Sequence, residues 1–274
     1  MANMSNLVLD VVLIFGCGYG VAGAAAATTA SQWFAAIGLV VLLIRQGRLD
    51  VGHLRRRPTW AKMSPLLSAG AAISLRSISG LCAVAWATTS VANMGAHEMA
   101  AHEILRQTWL FCAVLLESLS IASQTLVASL LGKGNMVEAQ QTVKRLLQIA
   151  GVVGLGAALL MWGSSPVLPF LMVSDPEVAV MASGMFPVVA VFLPLEAAMY
   201  VLDGTLLGAR DTKYCAAAMM MAAISCATAV TVAVQLETGL VGIWLGIKVL
   251  SLSRILAASY RLTSRNSPLL PKTE

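Results

Sequence analysis

Few side chains in this sequence could do chemistry, and most of those that could are acids inside long apolar runs. Asp10 is the first of them. Asn6 lies four residues earlier on the same helical face, where its amide could hydrogen-bond the carboxyl, and Thr28 in the next apolar run could supply a hydroxyl. An ionisable group inside a membrane-spanning helix costs about 2.5–3.5 kcal/mol to insert, so each one is a functional candidate. The pattern predicts a site that exchanges a proton; the alternative is that Asp10 is an ordinary solvated acid at the membrane interface.

A second pair of acids lies in the segment PLEAAMYVLDG. Glu196 and Asp203 are seven residues apart, which is nearly two helical turns, so both carboxyls share one face and could line one cavity. Pro187 and Pro194 can bend this helix and free carbonyl groups, as happens where a cavity or a neighbouring helix supplies partners. The alternative for Asp203 is that it only caps the end of the helix beside Arg210.

The remaining charges within apolar runs are Glu117, Arg76 and Lys248. Glu117 lies seven residues before Gln124, so the two form a polar stripe along one helix, and Arg76 and Lys248 are the nearest available counter-charges for Glu117. Such pairs could be structural locks between helices or a gate that rearranges, and the sequence favours neither.

Motifs for other chemistry are missing from the sequence. It contains no nucleophile elbow, phosphate loop, HExxH or CxxC motif, and its five cysteines are scattered through apolar surroundings. His97 and His102 fall in a hydrophilic loop and are expected at the membrane interface. We therefore expect no catalytic residue, no metal site and no cofactor, and we do not expect an enzyme.

The elements that position these residues are membrane-spanning helices. With 58% hydrophobic and 11% charged residues and a mean hydropathy of +0.81, the chain has too little polar surface for a water-soluble domain. The apolar runs are about 20 residues long, which favours helices that cross the roughly 30 Å hydrocarbon layer over short alternating strands. Seven full spans are expected, at Val21–Ile44, Leu66–Asn93, Thr108–Leu131, Val143–Trp162, Val178–Leu207, Tyr214–Val234 and Leu240–Ala258. The fold class is an all-α polytopic membrane protein.

The orientation of these spans follows from a basic stretch, Arg45–Pro65, between two of them. Lysine and arginine then accumulate in alternate loops and after the last span, as a correct span count requires. The basic side and the C-terminus are expected to face the cytoplasm or its organellar equivalent. Because apolar spans flank the basic stretch on both sides, we expect the lipid bilayer and no nucleic acid as its partner.

Two further patterns concern the start of the chain. Ser5–Phe15 is apolar but reaches only about 17 Å as a helix, too little to span the membrane, so it is either re-entrant or the end of a helix that began earlier. Gly20–Ser31 resembles Gly239–Ser251 in its spacing of glycine and apolar residues. If this is an internal repeat, the first two spans correspond to the last two.

Four stretches of the sequence resemble the multidrug and toxic compound extrusion (MATE) family, most closely its DinF-type branch, which includes plastid members in plants and algae. They are Asn6–Trp33, Met99–Trp109, Gly132–Arg145 and Val201–Tyr214. The resemblance implies a MATE-like bundle of two six-helix lobes, of which the first four helices would be missing. Residues 1–44 would hold a partial fifth helix and the sixth helix, 45–65 a basic interlobe linker, 66–262 the complete second lobe, and 263–274 a C-terminal tail.

The resemblance also implies a function. It implies a secondary active antiporter that exports organic solutes or xenobiotics in exchange for protons or sodium, with a coupling site at Asn6, Asp10 and Thr28. An acid that this cluster takes from the first helix in the family has no counterpart here, and Lys248 stands where an uncharged residue is expected. A plastid membrane is implied, and otherwise the plasma membrane or vacuole. The alternative is a non-transporting membrane fragment or helical scaffold.

Overall fold

A computed structural model describes residues 2–49, 59–264 and 267–270 as helices joined by short turns. The chain forms two compact units, Met1–Ser64 and Pro65–Glu274. The basic cluster of the expected linker, at residues 55–57, lies outside the described residues. The helices are α1 (Ala2–Asp10), which continues as a π-helical turn (Val11–Gly16), α2 (Gly20–Arg45), α3 (Trp60–Ala92), α4 (Ala96–Gly132), α5 (Met136–Ser164), α6 (Leu168–Met172), α7 (Pro176–Ala190), α8 (Leu193–Gly208), α9 (Thr212–Gln235) and α10 (Gly239–Thr263).

Six of these helices are long and apolar enough to cross a membrane, and the pair α7 and α8 makes a seventh span if it is taken together. A shorter apolar helix covers Asn3–Gly16. The all-helical, multi-pass fold class is therefore confirmed for the described residues, and the expected seven spans are reached when α7 and α8 count as one span.

The span expected at Val178–Leu207 is broken in its middle. The axes of α7 and α8 differ by 50°, and the break falls between Pro187 and Pro194, as the proline positions predicted. Pro194 lies in the first turn of α8, where a missing N–H costs nothing. The carbonyl of Pro187 still accepts a hydrogen bond from Val191 N at 3.1 Å, so the end of α7 remains satisfied.

Helix α4 is longer than the apolar run that predicted it. It begins at Ala96, so His97, Glu98 and His102 lie on a helix and not in a loop, and the expected loop position of the two histidines is wrong. Hydropathy identifies only the part of a helix that lies in the lipid. The part before it can still be helical, because an acid such as Glu98 in the first turn interacts favourably with the helix dipole.

Small residues bring α4, α5 and α8 into backbone contact in the second unit. A Cβ atom at Gly208 of α8 would lie 2.6 Å from the carbonyl oxygen of Gln124 on α4, and one at Gly154 of α5 would lie 2.6 Å from Pro194 Cα. Close approach lets Ser123 of α4 hydrogen-bond the Val201 carbonyl of α8 at 3.0 Å. Small residues at helix interfaces are typical of membrane bundles, where packing replaces the hydrophobic effect.

Candidate functional site

The first candidate site lies in the first unit, where α1 and α2 pack together. Asn6 Nδ2 donates to Thr28 Oγ1 over 3.5 Å, and Thr28 Oγ1 in turn donates to the Ala24 carbonyl at 3.0 Å. Asp10 ends α1, directly before the π-helical turn, and its Oδ1 atom is buried with no hydrogen-bond partner among the described residues. The structure thus brings Asn6 to Thr28, but among the described residues neither side chain hydrogen-bonds Asp10, one of whose carboxylate oxygens is left unsatisfied.

A tight turn makes this approach possible. Cys17 N donates to Val12 O at 2.9 Å and Tyr19 N to Leu13 O at 3.1 Å, which closes the π-helical turn before α2 begins. Gly18 has a φ of +71° there, a value that glycine adopts without strain. Single π-helical turns are rare and are frequently found at functional sites.

The second candidate site is a buried ion pair in the second unit. Glu196 of α8 and Lys248 of α10 are each 1% exposed, and Lys248 Nζ lies 2.7 Å from Glu196 Oε1. Trp109 Nε1 of α4 donates to the other oxygen, Oε2, at 2.8 Å, and Ser251 is 3.5 Å from Oε1. Glu196 therefore lies inside the bundle, fully compensated by groups from two other helices.

The third candidate site joins α3, α8 and α10 through one carboxylate. Arg76 Nη2 lies 2.7 Å from Asp203 Oδ2, and Arg254 Nη2 contacts the same oxygen. The cluster carries one more positive than negative charge. A cavity with room for about one water-sized molecule adjoins it and is lined by all three residues together with apolar side chains. Asp203 is thus held by Arg76 and Arg254 and not by Arg210.

The polar stripe on α4 does not have the ionic partners that the sequence predicted for it. Glu117 and Gln124 are both exposed on the second unit. Arg76 and Lys248, expected as counter-charges for Glu117, pair instead with Asp203 and Glu196. The four residues are therefore not one network.

Sequence reasoning missed several residues around the Glu196 pair. His102 is 1% exposed; its Nε2 lies 3.3 Å from Thr88 Oγ1, and its Nδ1 has no partner among the described residues. Its ring centroid is 5.5 Å from that of Trp244, whose Nε1 is also buried and unpartnered. Ser251, three residues after Lys248, was the one signal in the sequence for this polar face.

The helices and their buried charges define a polytopic membrane protein with polar groups inside its spans. The MatE family model matches residues 73–234, more than half of the chain, and the chain belongs to this family. It is 30% identical over 266 residues to the chloroplastic protein DETOXIFICATION 44 of Arabidopsis thaliana, covering 97% of this chain and 50% of that protein. It is 26% identical over 257 residues to multidrug and toxin extrusion protein 1 of Xenopus tropicalis, covering 90% and 44%.

Solved structures show the same fold. The eukaryotic MATE transporter AtDTX14 superposes with a TM-score of 0.85 at 22% identity, over 98% of this chain and 61% of that one. A MATE protein in its straight conformation gives 0.82 at 19% identity, over 94% and 58%. The chain spans about half the length of the curated relatives it matches. The relatives are transporters, and the family comprises membrane proteins and not enzymes.

Proposed function

We propose that the protein is a secondary active antiporter, which exports an organic solute in exchange for protons or sodium by alternating access. The observation that carries the proposal is the Oδ1 atom of Asp10, which is buried and has no hydrogen-bond partner among the described residues, one helical turn after Asn6, whose amide contacts Thr28 of α2. A buried carboxylate oxygen without a donor is destabilising, and binding a proton or a cation removes that penalty. The charge state of Asp10 is thus coupled to the packing of α1 on α2.

The lobe assignment belongs to the same proposal. Residues 1–44 are the end of a first lobe, 45–65 a basic linker, 66–262 a second lobe of six spans, and 263–274 a tail. In support, α3, α4, α5, the bent pair α7 and α8, α9 and α10 make six spans between Trp60 and Thr263, so that the first turns of α3 belong to the segment assigned to the linker. Two of the relatives, DETOXIFICATION 44 and 45, are named as chloroplastic, which supports a plastid membrane as the location.

Export from sealed vesicles of cells that express the protein tests the proposal. The vesicles are loaded with a fluorescent organic solute, and a proton gradient or a sodium gradient is imposed separately. We expect one of the two gradients to accelerate export, and Asp10→Asn to abolish the acceleration while the protein remains inserted at its normal level. An unchanged response to the gradient in Asp10→Asn would contradict the coupling role of Asp10.

A matched pair of threonines sharpens the test. Thr28 and Thr29 both donate to the carbonyl four residues earlier, at 3.0 and 2.8 Å, but only Thr28 contacts Asn6. Thr28→Ala is expected to weaken coupled export several-fold, whereas Thr29→Ala should leave it unchanged. Equal losses in both variants would mean that the helix and not the cluster was disturbed.

A further inference from the structure

The ion pair of Glu196 and Lys248 is surrounded by aromatic rings in addition to its hydrogen-bond partners. The ammonium of Lys248 lies 5.1 Å from the ring centroid of Trp109, 5.4 Å from that of Trp244 and 6.0 Å from that of Phe192. Three aromatic rings and one carboxylate thus surround a single primary ammonium group in the interior of the second unit. Rings at these distances attract cations, and cages of this composition bind alkylated ammonium ligands in other proteins.

The carboxylate of this cage has a second hydrogen-bond donor besides the lysine. Trp109 Nε1 donates to Glu196 Oε2 at 2.8 Å, while Lys248 uses the opposite oxygen. Trp109 therefore both orients the acid and offers its ring to the cation. Since Trp109 lies on α4 and Glu196 on α8, this part of the cage is assembled by helices other than the one that carries the lysine.

Polar groups that the ion pair does not use add a second observation. His102 Nδ1 and Trp244 Nε1 are buried without a hydrogen-bond partner among the described residues, although both residues are only 1% exposed. Native proteins leave few such groups unsatisfied. The two nitrogens show that the surroundings of Trp244 are not purely apolar, but the indole N–H is a donor and does not bind a cation, so recognition rests on the ring faces and on the Glu196 carboxylate.

We propose that Trp109, Phe192, Glu196 and Trp244 form a binding site for a primary ammonium ion, and that Lys248 is its tethered occupant. The chain supplies its own cation, so the site is neutral and filled without a free ion from solution. Removal of the lysine side chain creates a vacancy that a free alkylammonium ion of matching length fills. This proposal concerns cation recognition within one unit and does not depend on the transport activity.

The test is chemical rescue of Lys248→Ala in the purified, detergent-solubilised chain. The substitution leaves a buried acid without its counter-charge, and we expect it to lower the midpoint of thermal unfolding by about 5–10 °C. n-Propylammonium replaces the atoms removed from the lysine. We expect it to restore at least about half of the lost midpoint with a saturable dose dependence, as ligands that bind only the folded state do.

Three controls decide between a specific site and a general effect. Sodium chloride at equal ionic strength and neutral 1-propanol should not restore the midpoint of Lys248→Ala. The double variant Glu196→Gln with Lys248→Ala should not respond to propylammonium, and neither should Lys133→Ala, which removes an exposed lysine. The proposal is overturned if propylammonium does no more than sodium chloride, or if it raises all of these variants alike.

A second set of variants covers the case in which Lys248→Ala does not fold. Lys248→Met combined with Glu196→Gln keeps the volume of the pair and removes both charges. If the rings bind the cation, Trp244→Leu lowers the unfolding midpoint more in the unmodified protein than in this neutral background. Equal losses in the two backgrounds would mean that Trp244 only packs against its neighbours, and would refute the cage.

Discussion

The charges of the Asp203 cluster predict which of its three residues contributes most to the stability of the protein. One carboxylate serves two guanidinium groups, Arg76 and Arg254, whose side chains are 20% and 12% exposed against 10% for Asp203. Asp203→Asn leaves two guanidinium groups at one site with no carboxylate between them. Removing either arginine instead leaves a balanced pair with the other one.

The expected magnitudes follow from this count of charges. Breaking a fully buried pair by removing one partner costs about 3–5 kcal/mol, and the partial exposure of Arg76 and Arg254 lets water offset part of that. We expect Asp203→Asn to reduce the free energy of unfolding by about 2–4 kcal/mol. Arg76→Gln or Arg254→Gln should cost about 1 kcal/mol each, less than the roughly 1.5–3 kcal/mol of a charge-assisted hydrogen bond, because Asp203 keeps one partner and both arginines are partly exposed to water.

Denaturant unfolding of the purified protein in detergent measures these losses, and the chain offers a matched control. Arg261 Nε lies 2.7 Å from Asp211 Oδ2 in a one-to-one pair with side-chain exposures of 27% and 15%. Asp211→Asn and Arg261→Gln should therefore cost similar amounts. If Asp203→Asn costs no more than either arginine substitution in its own cluster, the shared carboxylate does not hold α3, α8 and α10 together, and the reasoning is refuted.

Two further predictions concern packing and orientation. Gly208→Ala places a methyl group against the backbone at Gln124 and should destabilise the protein by about 1–3 kcal/mol. Gly156→Ala, at a helical site with open space, should be neutral or stabilising by up to about 1 kcal/mol. Unfolding in detergent measures both, and equal effects would contradict the close contact of α4 and α8. From the charge distribution in the sequence we expect Arg56 and Lys272 on the same side of the membrane, and cysteine-accessibility labelling that put them on opposite sides would disprove the span count.

The helices of this fold could be predicted from the sequence, because a segment that spans a membrane must have an apolar composition. Each span needs about 20 apolar residues, and proline removes a backbone donor, so both the number of spans and the bend between Pro187 and Pro194 could be predicted. The N-terminal extension of α4 could not, because its first three turns are polar and carry His97, Glu98 and Glu103 as a soluble helix would. Hydropathy does not detect a helix that continues beyond the lipid.

The ionic partners were less accessible than the helices. Spacing shows which face of a helix a residue occupies, but it does not show which other helix that face meets. Glu196 pairs with Lys248, and Asp203 with Arg76, across 52 and 127 residues of chain. Glu117 looked equivalent in the sequence, since it lies in the middle of an apolar run, yet it is exposed on α4. The choice among acids is made by helix packing, to which the close contacts at Gly154 and Gly208 contribute.

The aromatic part of the Glu196 site could be found only in three dimensions. Trp109 lies on α4, Trp244 on α10 and Phe192 in the turn between α7 and α8, and each is an ordinary apolar residue in its own segment. Their common relation to Lys248 appears when the ring centroids are compared with the position of its ammonium group. The sequence shows that Lys248 is an unusual charge within an apolar span, but it does not show the carboxylate and the aromatic rings that stabilise the charge there.

The most direct test of ion-coupled antiport is the reciprocal experiment, in which a solute gradient is imposed on protein-containing vesicles without any ion gradient. Coupling between two binding events acts in both directions. Our account predicts that outward flow of the solute draws protons or sodium inward, detected by a trapped pH-sensitive or sodium-sensitive dye, and that Asp10→Asn abolishes this ion flow. Solute flow without ion movement, or with ion movement in the same direction, would contradict the account.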